Sequence, residues 1–118
     1  MDARPTTGSL GEDAAERLYV RRGYRVVARN WRCRIGELDL VVARTGVVVV
    51  VEVKTRKGSR FGGGYVAVDG RKRAKIRAVT EVFLQQTGAN DAGVRFDVAS
   101  VWLRPDSSAA VEVFEDAF

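Results

Sequence analysis

Glu52 and Lys54 stand two residues apart at the end of an unbroken valine run, Val47 to Val51, and Glu37 and Asp39 stand two apart in the alternating stretch Gly36 to Ala43. A β-branched run of that density predicts a strand buried on both faces. Alternation along a strand puts Glu52 and Lys54 on one face, about 7 Å apart. Burying charge is costly unless it is paired or binds a metal, so this strand is expected to lead from a core into a site. The turn between the two stretches decides whether the four charged residues meet. If Thr45-Gly46 is a two-residue hairpin loop, Arg44 faces Val47, Asp39 lies opposite Glu52 and Glu37 opposite Lys54, at about 5 Å between Cβ atoms. A three-residue loop would put Asp39 and Glu52 on opposite faces, barring a compensating bulge.

Two carboxylates at that distance repel unless a cation sits between them. Oxygen ligands with no His or Cys nearby suit Mg²⁺ or Mn²⁺, which would polarise a phosphodiester and acidify a bound water. Lys54 would orient that water or offset charge building on the phosphate. The competing reading is a structural salt-bridge patch on a half-exposed sheet; the buried valines favour the metal. The chain has no histidine and one cysteine, Cys33. That removes imidazole chemistry, an internal disulfide and a thiolate zinc cage. Cys33 is expected as a core or surface thiol rather than a nucleophile, since no histidine can activate it.

These residues need elements to position them. A chain of 118 residues predicts one domain. Residues 1–8 are expected as a loose tail and 9–118 as the domain, with an acidic segment from about residue 105. A helix is expected over Ser9–Arg22, its apolar stripe formed by Leu10, Ala14, Leu18 and Tyr19 and stopped by Gly23. Ser9 and Glu12 have the spacing of a capping box. Strands follow over Tyr24–Trp31, Gly36–Ala43 and from Val47, then a loop over 55–68 containing Gly62-Gly63-Gly64. Those glycines are commonly a mobile linker, less often a place where backbone approaches a ligand. A second helix is expected from Asp69 to Thr87, with Ala74, Ala78, Val79, Val82 and Phe83 inward and Gly88 ending it. Val94–Leu103 reads as a strand and Ala110–Phe114 as a short edge strand. Helix, three strands, helix and strand make an α/β sandwich around a mixed sheet.

The net charge of +5 is unevenly spread. Residues 17–34 hold seven arginines, 54–60 four basic residues and 71–77 five, together sixteen of the twenty Lys and Arg. Brought together they would present a surface for a polyanion; solvated faces are the plainer reading. Phosphate contact is expected for Arg56, Lys57 and Arg60 in the loop, and for Lys72 and Lys75, three apart on one helix face. No apolar run nears the ~20 residues that span a bilayer, and Met1–Thr7 has no apolar segment of a secretory signal. A reducing cytoplasm is therefore the expected compartment, with no membrane partner.

The pattern Gly36-Glu37-Leu38-Asp39-Leu40, an apolar strand, then Glu52-Val53-Lys54, resembles the PD-(D/E)XK nuclease signature. With Gly11-Glu12 in the leading helix and Arg95-Phe96-Asp97-Val98 later, the chain is most similar to the YraN-like family of small bacterial predicted endonucleases, relatives of archaeal Holliday-junction resolvases. The match spans about residues 9–102. Leu38 stands where the signature is usually written with proline. The resemblance implies a restriction-endonuclease-like αβββαβ core, Asp39 and Glu52 as metal ligands and Lys54 as catalytic lysine. It adds Glu12 as a further carboxylate and the Val53 carbonyl as another ligand. Junction-cleaving relatives act as dimers, which implies a homodimer.

Alternatives stay open for several residues. Glu12 is explained equally by a helix cap. Glu37 either supports the metal or pairs with Lys54. Asp97 is expected to pair with Arg95 on one strand face rather than meet substrate, and Trp31 and Trp102 to lie in core or interface. The expected function is metal-dependent hydrolysis of DNA phosphodiesters, in branched or flapped structures, with RNA left open. Its rivals are a catalytically silent nucleic-acid-binding module with the same fold and a protein-interaction domain using the acidic segment.

Overall fold

The structure is a computed structural model that describes residues 6–58, 68–89 and 93–118. Its elements run in the order helix α1 (Thr7–Arg21), strands β1 (Arg25–Cys33), β2 (Gly36–Arg44) and β3 (Val47–Lys57), helix α2 (Gly70–Thr87), and strands β4 (Gly93–Leu103) and β5 (Ala109–Phe114). The strands form one sheet in the order β1-β2-β3-β4-β5. Neighbours are antiparallel except β3 and β4, which are parallel. Parallel neighbours need a long crossover, and α2 is that crossover. This is the α/β class expected, with the αβββαβ order of a restriction-endonuclease-like core and β5 at its edge.

The valine run sits at the centre of the sheet for the reason its composition suggests: both its faces are covered. Val49 and Val51 pack with Leu40, Val42, Ala99 and Val101 under Ala14, Ala15 and Tyr19 of α1. Val48 and Val50 pack with Val41, Phe96 and Val98 under Ile76, Val79 and Phe83 of α2. Pairing of β3 with β4 is continuous from Val47↔Gly93 to Lys57↔Leu103, so the strand extends further than the loop expected from residue 55.

Both helices present a slightly different face from the one their apolar pattern suggests. The buried residues of α1 are Gly11, Ala14, Ala15 and Tyr19, while Leu10 is 40% exposed. In α2 they are Ile76, Val79, Thr80 and Phe83; Ala74 and Ala78 face solvent. Small residues decide the first case, because they let the α1 backbone lie close to the sheet. A Cβ at Gly11 would collide with Thr55 Oγ1 and lie 2.7 Å from its Cγ2. The α1 cap also differs: Thr6 accepts from the Ser9 N–H at 3.0 Å, so the Ser9–Glu12 capping box is not formed. Asp69 caps α2 by accepting from the Lys72 N–H at 2.9 Å, and Gly88 ends it at φ 74.

Asp97 is fully buried and belongs to the framework. It accepts from the Tyr19 hydroxyl at 2.7 Å, from Arg95 at 2.8 and 2.9 Å, and from the Asp116 N–H at 3.0 Å. The Arg95 pairing expected from the strand face is thus present, and one carboxylate ties α1, β4 and the C-terminal segment together. Burial and the hydrogen bond to Asp97 keep the Tyr19 phenol protonated. Trp31 stacks edge-on against Phe83 at 5.1 Å, and half-buried Cys33 packs beside it. Both are framework residues.

The Gly11 contact gives a direct test. Gly11→Ala should destabilise the fold by about 1–3 kcal/mol through overpacking, although alanine is the better helix former. Urea unfolding would check it, and a variant as stable as wild type would show that α1 can lift from β3 at no cost. Thr55→Ala should rescue it only partly, since the Thr55 Cβ itself lies 2.8 Å from the added methyl.

Candidate active site

The β2–β3 hairpin has the two-residue turn that its sequence suggests. Pairs run from Arg44↔Val47 to Leu40↔Val51, and Gly46 takes φ 80, a backbone that glycine adopts without a Cβ clash. The next residues, Asp39 and Glu52, extend that register onto the α2 side. There the ladder gives way to a side chain: the Val53 N–H donates to Asp39 Oδ2 at 3.0 Å. A strand residue directs its N–H and C=O to the same side, so the Val53 carbonyl is also turned toward Asp39. The Asp39 carboxyl is close enough to Glu52 to be acted on by its charge.

Asp39 and Glu52 line one groove with Gly36, Glu37, Lys72, Lys75 and Ile76. Alternation in β2 breaks beside it. Leu38 joins the α2-side core with Val41 and Ala43, although it shares parity with Leu40. Asn30, between the pairs Arg29↔Leu40 and Trp31↔Leu38, has φ 53, a left-handed conformation that Asn tolerates better than most residues. The break allows Leu38 to be buried while Asp39 reaches the groove.

Burial comes first among the forces on Asp39, followed by the charge of Glu52. Together with hydrogen bonding to Glu52 and the charge of Glu12, they push its carboxyl up to about 7, against the pull of the Val53 N–H. Lys54 Nζ lies 3.4 Å from Glu52 Oε1, and Lys72 Nζ lies 2.6 Å from the same oxygen. Burial lowers the Lys54 pKa, as does the ammonium of Lys72, against the attraction of Glu52. For Lys72 burial also acts downward, but its hydrogen bond to Glu52 and the charges of Glu52 and Asp39 raise it overall.

Other residues expected at the site have partners of their own. Glu37 does not face Lys54, because the β2–β3 ladder ends at Leu40↔Val51. It pairs with Arg32 across β1, with Arg32 Nε 2.9 Å from Glu37 Oε2, at the lip of the groove. Glu12 accepts from Asn30 Nδ2 at 3.0 Å and from Arg29 Nε at 3.4 Å, and its charge is felt at Asp39. Among the described residues no three acidic, His or Cys side chains are grouped to hold a metal. Arg56 and Lys57 belong to β3 rather than to a loop, and the Arg56 guanidinium lies over the Trp102 ring at 5.8 Å. Arg60 and Gly62 to Gly64 fall outside the described residues.

Lys72 as the nearest partner of Glu52 is the contact that sequence reasoning missed. Its signal was present: Lys72, Ile76, Val79 and Phe83 follow helical spacing, so a lysine continues the buried stripe of α2. Arg29 holds Asp13 at 2.6 Å and Glu16 at 3.7 Å besides Glu12.

A chain with this sheet and this carboxylate pair can be compared with known proteins. Residues 11–101 match the model of UPF0102, an uncharacterised protein family. The chain belongs to that family, the one to which its motifs point. A UPF0102 protein of Moorella thermoacetica is 42% identical over 98% of this chain and 97% of its own length. Another, from Frankia alni, is 42% identical over 100% and 98%, respectively. A third, from Mycolicibacterium vanbaalenii, is 45% identical over 85% and 83%. None of these names states an activity.

The raised Asp39 pKa has a consequence for stability. Unfolded, this carboxyl titrates near 4; folded, it holds its proton to about 7. Between those values the folded state binds the extra proton, so the contribution of Asp39 to stability is fully present below about pH 4 and is lost as pH rises through 7. Asp39→Asn keeps an acceptor for the Val53 N–H and carries no charge. Its stability relative to wild type should therefore grow by about 1–2 kcal/mol from pH 5 to pH 8 in chelator, a figure reduced for the groove's access to solvent. Denaturant unfolding at the two pH values measures this, and a pH-independent difference would count against it.

Proposed function

We propose that this protein is a divalent-metal-dependent endonuclease acting on DNA. The observation that carries the reading is the Asp39–Glu52 pair, two carboxylates lining one groove at the point where two strands stop pairing. The donor set fits Mg²⁺ or Mn²⁺, which are commonly held by one or two carboxylates, with waters and substrate phosphate completing the shell. Asp39 and Glu52 would hold the ion and the Val53 carbonyl would add a neutral oxygen. When bound, such an ion supplies positive charge at the phosphate and makes a nearby water more acidic.

The chain's own groups do the rest. Lys54, on the same strand face as Glu52, offsets negative charge as it builds on the phosphate. Glu12 adds negative charge from α1 while bonded to Arg29 and Asn30. Lys72 and Lys75 on α2 and Arg56 and Lys57 on β3 take the backbone without reading sequence. A branched or flapped DNA is the substrate class suggested by the motif resemblance, with a homodimer as the working form. The site chemistry would admit RNA equally. Among the described residues no helix is long and apolar enough to cross a membrane, and a cytoplasmic location belongs to this proposal.

A screen of branched, flapped, single-stranded and duplex DNA with Mg²⁺ and Mn²⁺ tests the reading. Wild type should cut at least one of these. Asp39→Asn, Glu52→Gln and Lys54→Ala should each lower cleavage 100-fold or more, on the order found when a transition-state donor is removed, while binding is retained. Wild type that binds DNA but cuts none of them would favour the silent binding module. Binding itself should weaken steeply with salt, as phosphate contacts release counterions. Affinity indifferent to salt would remove the basic groove from the account.

A further inference from the structure

We infer that Lys72 is a built-in cation that occupies Glu52 until metal and polyanion arrive together, so that the two bind with positive coupling. This inference rests on the reading of Asp39 and Glu52 as metal ligands in a nucleic-acid site.

Lys72 Nζ approaches Glu52 Oε1 to 2.6 Å, closer than the strand's own Lys54 at 3.4 Å. Two ammonium groups therefore share one carboxylate oxygen, and that oxygen is the donor a divalent ion would need. The Glu52 side chain is only 12% exposed, whereas Lys72 is 42% exposed. The carboxylate is fixed in the groove wall while its partner has room to leave. Only the side chain need move, because the Lys72 backbone is held by its N–H bond to Asp69. Lysine suits the task, being a compact charge on a flexible stem.

Charge balance gives the direction of the coupling. The groove wall carries Asp39 and Glu52 against Lys72 and Lys75, with Lys54 beside Glu52 and Glu37 taken up by Arg32. The carboxylates are already answered by lysines, so a divalent ion entering alone meets excess positive charge. A phosphate backbone supplies negative charge and an alternative partner for Lys72, freeing Glu52. By linkage, each ligand then tightens the other by the same factor. A lysine that only stabilised the fold would have no such effect on metal affinity.

The test is a titration of the full chain with Mn²⁺, free ion being read by electron paramagnetic resonance, with and without a phosphorothioate DNA duplex. Without DNA, Lys72→Met should bind Mn²⁺ on the order of tenfold tighter than wild type, or ~1.4 kcal/mol; Lys72→Arg, which keeps the charge, should bind like wild type. The duplex should tighten Mn²⁺ binding for wild type more than for Lys72→Met. Unchanged or weaker Mn²⁺ binding by Lys72→Met overturns the inference, and so does coupling that survives intact in that variant. Absence of Mn²⁺ binding in all three proteins overturns the metal reading with it. Mn²⁺ binding with the expected coupling but no cleavage supports the inference and removes only the nuclease reading.

Discussion

Two carboxyl groups held on neighbouring strands repel, and the strands that carry Asp39 and Glu52 are not free to relieve the strain by sliding. β3 is bonded on both sides, antiparallel to β2 through the valines and parallel to β4 along its whole length. A one-residue slip would turn every valine to the wrong face, and both faces of that run are buried. Asp39 is tethered further by the Val53 N–H. The repulsion must then be answered chemically: by a proton on Asp39, by an ammonium at Glu52, or by a metal between them. The raised Asp39 pKa favours the first, and the Lys72 contact supplies the second.

The topology determines which helix answers it. Because β3 and β4 are parallel, α2 must start beside the carboxyl end of β3 and run back across the sheet. Its first turn, with Asp69 as cap and Lys72 behind it, therefore falls next to Glu52 and Lys54. α1 contributes differently. Gly11, Ala14 and Ala15 bring its backbone onto the sheet, and the Tyr19–Asp97 bond fixes its far end. Glu12 is thereby held close enough to act on Asp39 through its charge while remaining bonded to Arg29 and Asn30.

What could be read from the sequence divides by whether one dimension sufficed. The valine run, the Thr45-Gly46 turn and the Gly88 stop are local, so they located the central strand, its register and the end of α2. The register in turn brought Asp39 to Glu52. The Glu37–Lys54 pairing failed because the hairpin register was carried past Leu40↔Val51, where the β2–β3 ladder ends. Leu10 misled for α1, since apolar periodicity has no term for how closely a helix backbone can approach a sheet. Lys72 was read as a solvated or phosphate-binding lysine. Its role at Glu52 depends on where the crossover helix lands, which no strand pattern encodes.

The same division bears on the charge of the chain. Its basic excess is mostly arginine, and several of the arginines already have partners in the chain. Arg29 is held by α1 acids, Arg32 by Glu37 and Arg95 by Asp97, while Arg44 and Arg77 lie over the rings of Tyr24 and Phe96. A planar, permanently charged fork suits such fixed pairs. The lysines are distributed otherwise: Lys54 and Lys72 converge on Glu52, and Lys75 lines the same groove. The case for a polyanion at this groove therefore depends less on the net charge of +5 than on three lysines.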